Sequence, residues 1–184
     1  MKKIILSLFI TALVLNVSKA QIYMGKECTV SFFSKTTMED IDAKESVAQP
    51  ILNSTTGDIA IKIPTRSFIF KDGLMAEHFY ENFVESHKFP NAIFKGKINE
   101  KIDYSKNGDH KVTVTGEMDL HGVKKTITIS GDLKIKDGVV HIYSKFNIKM
   151  ADYDIKDPTI IGKSVAESID VTITATLAPY TKKK

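Results

Sequence analysis

The sequence is poor in cysteine and has no tryptophan: Cys28 is the single cysteine among 184 residues. One cysteine forms neither an intramolecular disulfide nor a thiolate metal cluster, so the fold must depend on its apolar core. Cys28 belongs to an alternating apolar run with Val30 and Phe32. This pattern predicts a small buried hydrophobic side chain at position 28 rather than a catalytic nucleophile.

Motifs that carry catalysis or bind metals are also missing from the sequence. The five histidines form no HxxxH or HExxH pattern, and there is no GxSxG motif and no glycine-rich phosphate loop. Asp152, Asp154 and Asp157 resemble a calcium loop only loosely, because the glycine and closing glutamate of such a loop are not at the required spacing. We therefore predict no catalytic residue, no metal ligand and no cofactor.

The chain has little excess charge, with 26 Lys and Arg against 22 Asp and Glu. Lys2, Lys3 and Lys19 lie in the N-terminal segment, so the rest of the chain is nearly neutral. A basic run at residues 182–184 is typical of a solvated tail. This balance gives no support to nucleic acid or an anionic membrane surface as a partner.

Residues 1–20 have the features of a signal peptide. Two lysines precede an almost wholly apolar run over residues 4–17, and small residues surround a cleavage site at Ala20. The apolar run is too short for a stable membrane span. We therefore predict export, a periplasmic or secreted mature protein, and one domain over residues 21–184; a retained N-terminal anchor is the alternative.

Most of the remaining sequence alternates between apolar and polar residues, as antiparallel strands do when one face is dry. We predict about eight strands. They cover residues 27–34, 39–49, 59–63, 68–70, 92–98, 112–120, 127–135, 140–150 and 169–177, where 68–70 is either a short strand or the lead into a helix. Residues 51–56 are predicted to form a loop, and the connection after residue 152 has no readable pattern.

Two dipeptides predict tight hairpins, Asn107-Gly108 and Asp137-Gly138. With residues 137–138 as a two-residue turn, Gly131 should face Ser144, and Ile129 should face Phe146. Apolar residues then meet apolar residues along the ladder, so the register is self-consistent.

One segment has a helical period instead. Met75, Phe79 and Phe83 recur every four residues and would line one stripe of a helix. Asp72 is a suitable N-cap, and a proline at position 90 disfavours a longer helix. We predict one α-helix over about residues 73–86, inserted between strands.

Many alternating strands in one domain fit either a closed barrel or a sandwich. Small residues interrupt the dry face in five strands, and Gly116 and Gly131 are two of them. Small side chains on an inner wall would leave room inside a barrel, which favours closure. The glycines would alternatively mark bends where a side chain would clash.

The predicted interior is rich in phenylalanine. Burying an apolar chain contributes about 0.8 kcal/mol per CH₂, so an isoprene or acyl tail would need no charged contact there. The other interpretation is that the rings only fill the core. An interior cavity below about 300 Å³ would favour that filled core.

Three segments resemble the YceI-like family: SFFSKT at residues 31–36, SFIFKDGLMAEHFYENFVESHKFPNAIFKGKI at 67–98, and GEMDLHGVKKTITI at 116–129. Their order and spacing hold across nearly the whole chain after residue 20. The resemblance implies an exported all-β protein, an eight-stranded antiparallel lipocalin-like barrel around a hydrophobic tunnel. It also implies a polyisoprenoid, isoprenoid quinone or fatty acyl ligand, a homodimer as in some members, and no catalytic residue.

We predict a lipid-binding protein, not an enzyme, that sequesters or carries a long apolar chain inside this barrel. Its predicted ligand-binding residues are Phe32, Phe68, Phe70, Met75, Phe79, Phe83, Phe94, Gly116, Gly131 and Phe146. The helix stripe would close or line one mouth, and the two glycines would widen the bore.

Two other classes stay open. One is a ligand-free structural or stress protein with a filled core. The other is a lipid-modifying enzyme, which would need a polar set near the mouth such as His78, Glu81 or His121.

Overall fold

The structure is a computed structural model that describes residues 21–35, 40–156 and 167–181. The predicted signal peptide, most of the connection after residue 152, and the basic tail lie outside the described residues. Within the described part of the chain, none of the helices is both long enough and apolar enough to cross a membrane.

Eight antiparallel strands form a closed barrel in which each strand pairs with its neighbours in chain order and the last strand pairs with the first. The strands are β1 (Ile22–Ser34), β2 (Ile41–Glu45 and Ile51–Asn53), β3 (Asp58–Pro64 and Ile69–Phe70), β4 (Asn91–Ile98), β5 (Gly108–Leu120), β6 (Val123–Lys136), β7 (Val139–Lys149) and β8 (Ser168–Pro179). Both segments of β2 pair with β1, and the two segments of β3 pair with those of β2. The predicted eight-stranded antiparallel barrel is confirmed.

The second strand differs from its predicted form because a carboxylate interrupts it. Glu45 is only 1% exposed, and its Oε2 accepts the N–H groups of Val47 (2.8 Å) and Ala48 (3.0 Å). Those two amides are therefore turned away from the neighbouring strand, and pairing resumes at Ile51–Asn53. The prediction of a strand to residue 49 followed by a loop was wrong for this reason.

The predicted turn at residues 137–138 is confirmed, and the ladder from it keeps the predicted register as far as Gly131 opposite Ser144. There the ladder ends, and the pair predicted next, Ile129 with Phe146, does not form in the described parts of β6 and β7. At this point the Ser144 hydroxyl donates to the carbonyl of the residue before Gly131, at 2.7 Å. A side chain thus occupies an acceptor that the backbone of the facing strand would otherwise use.

A second tight hairpin lies at the predicted turn that contains His121, where no dipeptide signal indicated a hairpin, and one predicted hairpin was wrong. His121 and Gly122 join β5 to β6, with φ values of 53° and 75° that suit a type I′ turn. Asn107 instead lies in a longer loop, and its side-chain oxygen accepts the N–H of Asp137 at 2.9 Å. It therefore supports the neighbouring turn rather than making its own.

The helix begins where predicted and ends earlier. Asp72 accepts the N–H of Met75 at 2.8 Å and caps an α-helix over Gly73–His78, which continues as a π-helical turn over Phe79–Phe83. Glu85 has a φ of 42°, so the chain leaves the helical conformation before position 86. The local left-handed residue, not the later proline, ends the helix.

Side chains fill the half of the barrel that lies away from the helix. Leu52, Val140 and Leu177 are completely buried there, and Leu133 is 1% exposed. This filled half stabilises the barrel, whereas the half beneath the helix contains a cavity.

Candidate functional site

A cavity lies inside the barrel at the end that carries the helix. Of the 25 residues that line it, 23 are apolar, and the other two are Ser34 and Thr65. No charged side chain is among them. The wall is therefore suited to an apolar guest and offers nothing to neutralise a charge.

The volume of this cavity is about 130 Å³, within an atom-free envelope of about 1170 Å³ that includes open solvent. The envelope overstates the interior because it counts solvent outside the barrel. The smaller value is below the threshold of about 300 Å³ that marks typical ligand pockets. In the conformation described, the volume alone favours a filled core.

Four phenylalanines at the helix end, which we call the aromatic cluster, account for much of that filling: Phe32, Phe68, Phe70 and Phe79. The Phe79 ring stacks on Phe32 with centroids 5.2 Å apart, and it lies 5.0 Å from Phe70 and 5.7 Å from Phe68. Phe79 and Phe32 each contact all the other rings of the cluster, and Phe79 is the member that belongs to the helical segment. Since it belongs to the helical segment, the position of that segment decides how much of the cavity is open.

Eight of the ten predicted ligand-binding residues line the cavity, namely Phe32, Phe68, Phe70, Met75, Phe79, Phe83, Phe94 and Phe146. The structure therefore brings together residues that are spread over 115 positions of the sequence. Whether they contact a ligand stays a prediction.

Gly116 and Gly131 do not line the cavity. A Cβ atom on Gly116 would lie 2.3 Å from both Cα of Gly96 and the carbonyl oxygen of Lys95, and one on Gly131 would lie 2.8 Å from the Tyr143 carbonyl oxygen. Both glycines allow strands to approach closely, so the structure supports the clash interpretation and not the widening of the bore.

The helical segment contacts the barrel through the partly buried rings of Phe79 and Phe83 and through a few polar contacts, and none of its residues is fully buried. The Tyr80 hydroxyl donates to the Phe68 carbonyl, and Arg66 pairs with Glu81. Arg66 Nε also donates to Ser86 Oγ at 2.8 Å. Two of these three contacts are partly buried and the Arg66–Glu81 pair is exposed. A segment with so few contacts and no fully buried residue is typical of regions with low local stability.

His121 connects three parts of the chain near the same end of the barrel. Its ring nitrogens lie 3.1 Å from the Tyr153 carbonyl and 3.0 Å from Glu85 Oε2, and its ring packs against Phe89 with centroids 4.5 Å apart. Hydrogen bonds from Lys88 and then His121 hold the pKa of Glu85 below its ordinary value of 4.5.

The polar residues considered for an enzyme are each engaged in a different contact. His78 Nδ1 lies 3.1 Å from the Asn82 amide, Glu81 pairs with Arg66, and His121 pairs with Glu85. Within the described residues, no hydrogen bond or ion pair joins these three side chains to one another.

Thiol and metal chemistry receive no positive support from the described residues. Cys28 is buried, and burial, followed by the Glu45 carboxylate, raises the pKa of its thiol to about 11. A thiol with so high a pKa is a poor nucleophile at neutral pH. No group of three His, Cys, Asp or Glu residues in the described part of the chain could hold a metal ion.

Sequence reasoning missed the aliphatic side of the wall and its polar members. Ile169, Val171 and Ile173 of β8 line the cavity, and their alternation was the available signal. Met150 continues the inward-facing alternation of the predicted strand 140–150, although it lies in a 3₁₀ turn, whereas Ile155 follows that turn and no periodicity marks it as inward-facing. Ser34 is also in the wall, although its residue type alone would place it outside.

Comparison with known structures gives the same fold. The polyisoprenoid binding domain from Saccharophagus degradans, implicated in plant cell wall breakdown, superposes with a TM-score of 0.75 at 15% identity, over 88% of this chain and 100% of that one. BcnA of Burkholderia cenocepacia superposes with a TM-score of 0.66 at 18% identity, over 81% of this chain and 95% of that one. The YCEI protein of Campylobacter jejuni superposes with a TM-score of 0.53 at 18% identity, over 99% of this chain and 100% of that one.

These identities are low, so the superpositions establish the fold and not the ligand. No curated protein matches the sequence. A sequence model of the YceI-like domain matches residues 15–177, which is most of the chain. The protein therefore belongs to the YceI-like domain family.

Proposed function

We propose that the protein binds one long apolar chain, such as a polyisoprenoid, an isoprenoid quinone or a fatty acyl tail, in the barrel cavity. The observation that carries this proposal is the composition of the wall, 23 apolar residues of 25 with no charged side chain. Membership of the YceI-like family supports it, as does the shared fold with the Saccharophagus degradans polyisoprenoid binding domain.

Binding of such a chain requires more space than the cavity of about 130 Å³ provides. The aromatic cluster can supply that space, because Phe79 separates from Phe32 and Phe70 if the helical segment moves outward. The segment has no fully buried residue, and only a few polar contacts support the packing of Phe79 and Phe83. We therefore infer that the ligand favours an open position of this segment over the closed position in the structure.

The role that follows is sequestration or transport of the apolar chain outside the cytoplasm, without chemical change to it. The signal-peptide pattern of residues 1–20 supports export. The separate engagement of His78, Glu81 and His121 is consistent with a binding role rather than catalysis.

The proposal is tested by urea unfolding of the purified protein with an isoprenoid quinone and, as control, the same quinone without its tail. A ligand present at 100 times its Kd stabilises the folded state by about 2.7 kcal/mol. We expect stabilisation by the tailed quinone alone. Equal effects of both compounds, or none from either, would remove the proposal.

A second candidate, a ligand-free structural protein, is favoured by one observation, the small cavity volume. It predicts that no apolar probe stabilises the fold. The same titration therefore separates the two candidates.

A further inference from the structure

Ser34, the last residue of β1, is a buried polar residue without a partner. Ser34 is only 2% exposed and lines the cavity, and its Oγ makes no hydrogen bond in the structure. Most buried hydroxyl groups are hydrogen-bonded, because an unpaired one loses its bonds to water without replacement. A lone unpaired hydroxyl in an otherwise apolar wall therefore points to a contact with the bound molecule.

The other buried hydroxyls nearby are satisfied. Thr65 also lines the cavity, and its hydroxyl donates to the Phe89 carbonyl at 3.0 Å. Two further buried polar atoms of the described residues lack a partner, Oε1 of Glu45 and the hydroxyl of Tyr104, but neither residue lines the cavity. Ser34 is thus the one such group that faces the site.

The register of the strands places Ser34 at the helix end of the cavity. Ser34 pairs with Ile41 of β2, and both residues line the cavity. The preceding row of the sheet consists of Phe32, Ala43 and Phe70, which includes two members of the aromatic cluster. A molecule that enters beneath the helical segment therefore passes the aromatic cluster and the Ser34 hydroxyl together.

We propose that the Ser34 hydroxyl donates a hydrogen bond to a neutral oxygen, such as a carbonyl, carried by the long apolar ligand. The ligand class is then an uncharged oxygen-bearing chain, and neither a plain hydrocarbon nor a chain with its anionic group inside the cavity. A carboxylate or phosphate would be buried there without a cation, since none of the described residues that line the cavity is Lys, Arg or His. This inference rests on the proposed function and adds the chemistry that selects among apolar chains.

The test compares three probes of equal chain length by displacement of an apolar fluorescent dye: heptadecane, the corresponding methyl ketone, and heptadecanoate. One neutral hydrogen bond corresponds to about a fivefold difference in affinity. We expect the wild-type protein to prefer the ketone over the alkane by about that factor, and to bind heptadecanoate more weakly than the ketone at neutral pH.

Ser34→Ala should bring the ketone down to the affinity of the alkane and leave alkane binding unchanged. Thr65→Val is the matched control, because it removes a hydroxyl from the same cavity that is already bonded to the protein; it should keep the ketone preference. The wild-type comparison needs no variant, so the proposal stays testable if either substitution fails to fold.

The outcomes separate this inference from the proposed function. Equal affinity for ketone and alkane in the wild-type protein, as expected if only water meets Ser34, overturns the inference and leaves lipid binding standing. A Ser34→Ala variant that weakens both probes equally shows a structural role and also overturns it. Failure of all three probes to bind overturns the proposed function, and this inference falls with it.

Discussion

Replacement of Phe79 by alanine tests whether the aromatic cluster is a fixed core or a movable plug. The Phe79 ring has three neighbouring cluster rings within 5.7 Å, but it is only partly buried. A fully buried Phe→Ala change costs 3–5 kcal/mol, so we expect a loss of about 2 kcal/mol in the free energy of unfolding here. Leu74→Ala on the same helix is the control, because Leu74 is 61% exposed and its loss should change stability by less than about 0.5 kcal/mol.

The two accounts differ when an apolar probe is added to Phe79→Ala. If the cluster is a movable plug, removal of the Phe79 ring enlarges the cavity, and the probe binds more tightly to the variant than to the wild-type protein. At 100 times its Kd the probe then raises the free energy of unfolding of the variant by about 2.7 kcal/mol. Urea unfolding with and without an isoprenoid quinone measures this difference. A variant that is destabilised equally in both conditions, with no gain in affinity, would refute the plug.

Three other predictions concern parts of the barrel outside the cavity. Gly116→Ala should lower the free energy of unfolding in urea by about 3 kcal/mol, because its Cβ would meet backbone atoms at 2.3 Å. Gly73→Ala is the control, since its Cβ would meet nothing within 4 Å, and it should be neutral or stabilising. A Gly116→Ala protein as stable as the wild type would contradict the close approach of the strands at this glycine. Glu45→Ala should cost about 2 kcal/mol, because the buried Ala48 amide and the partly buried Val47 amide lose their acceptor, and an unchanged midpoint would exclude this bend as a stability determinant. Hydrogen bonds from Lys88 and then His121 lower the pKa of Glu85 in the folded state, so its contribution to stability is complete above about pH 4.5 and is lost as the pH falls below that value. Glu85→Gln should therefore flatten the acid side of the stability profile, and an identical profile would contradict the contacts with Lys88 and His121.

Alternation of apolar residues predicted the antiparallel strands, because every long strand has one face against the interior and one against water. It left a barrel and a sandwich open, and the prediction of a barrel came from the small residues on the dry face and from the resemblance to the YceI-like family. The turn at residues 137–138 was predictable for a local reason, since Asp-Gly readily adopts the two positive φ values of a type I′ turn. The His121-Gly122 turn has the same geometry with a less common first residue. Its histidine is held by Glu85 and Tyr153, which are distant in sequence, so the turn at His121 was predictable but its two-residue hairpin geometry was not.

The candidate site was only partly predictable. Aromatic residues were assigned to the interior from their type and alternation, and seven phenylalanines together with Met75 do line the cavity. The role of Gly116 was not predictable, since it depends on its pairing with Gly96 across two strands. The unpaired hydroxyl of Ser34 could be recognised only from the structure, because the sequence gives no sign of which buried serine has a partner.

The most direct test of an apolar-chain carrier is native mass spectrometry of the protein purified without detergent from its own cells, followed by organic extraction and identification of any released compound. The account predicts one bound molecule per chain with a long apolar tail and an uncharged oxygen, which is absent from a variant in which Ala92, on the cavity wall, is replaced by Phe. Protein recovered without any bound compound under several growth conditions, and unable to take up an isoprenoid quinone afterwards, would contradict it.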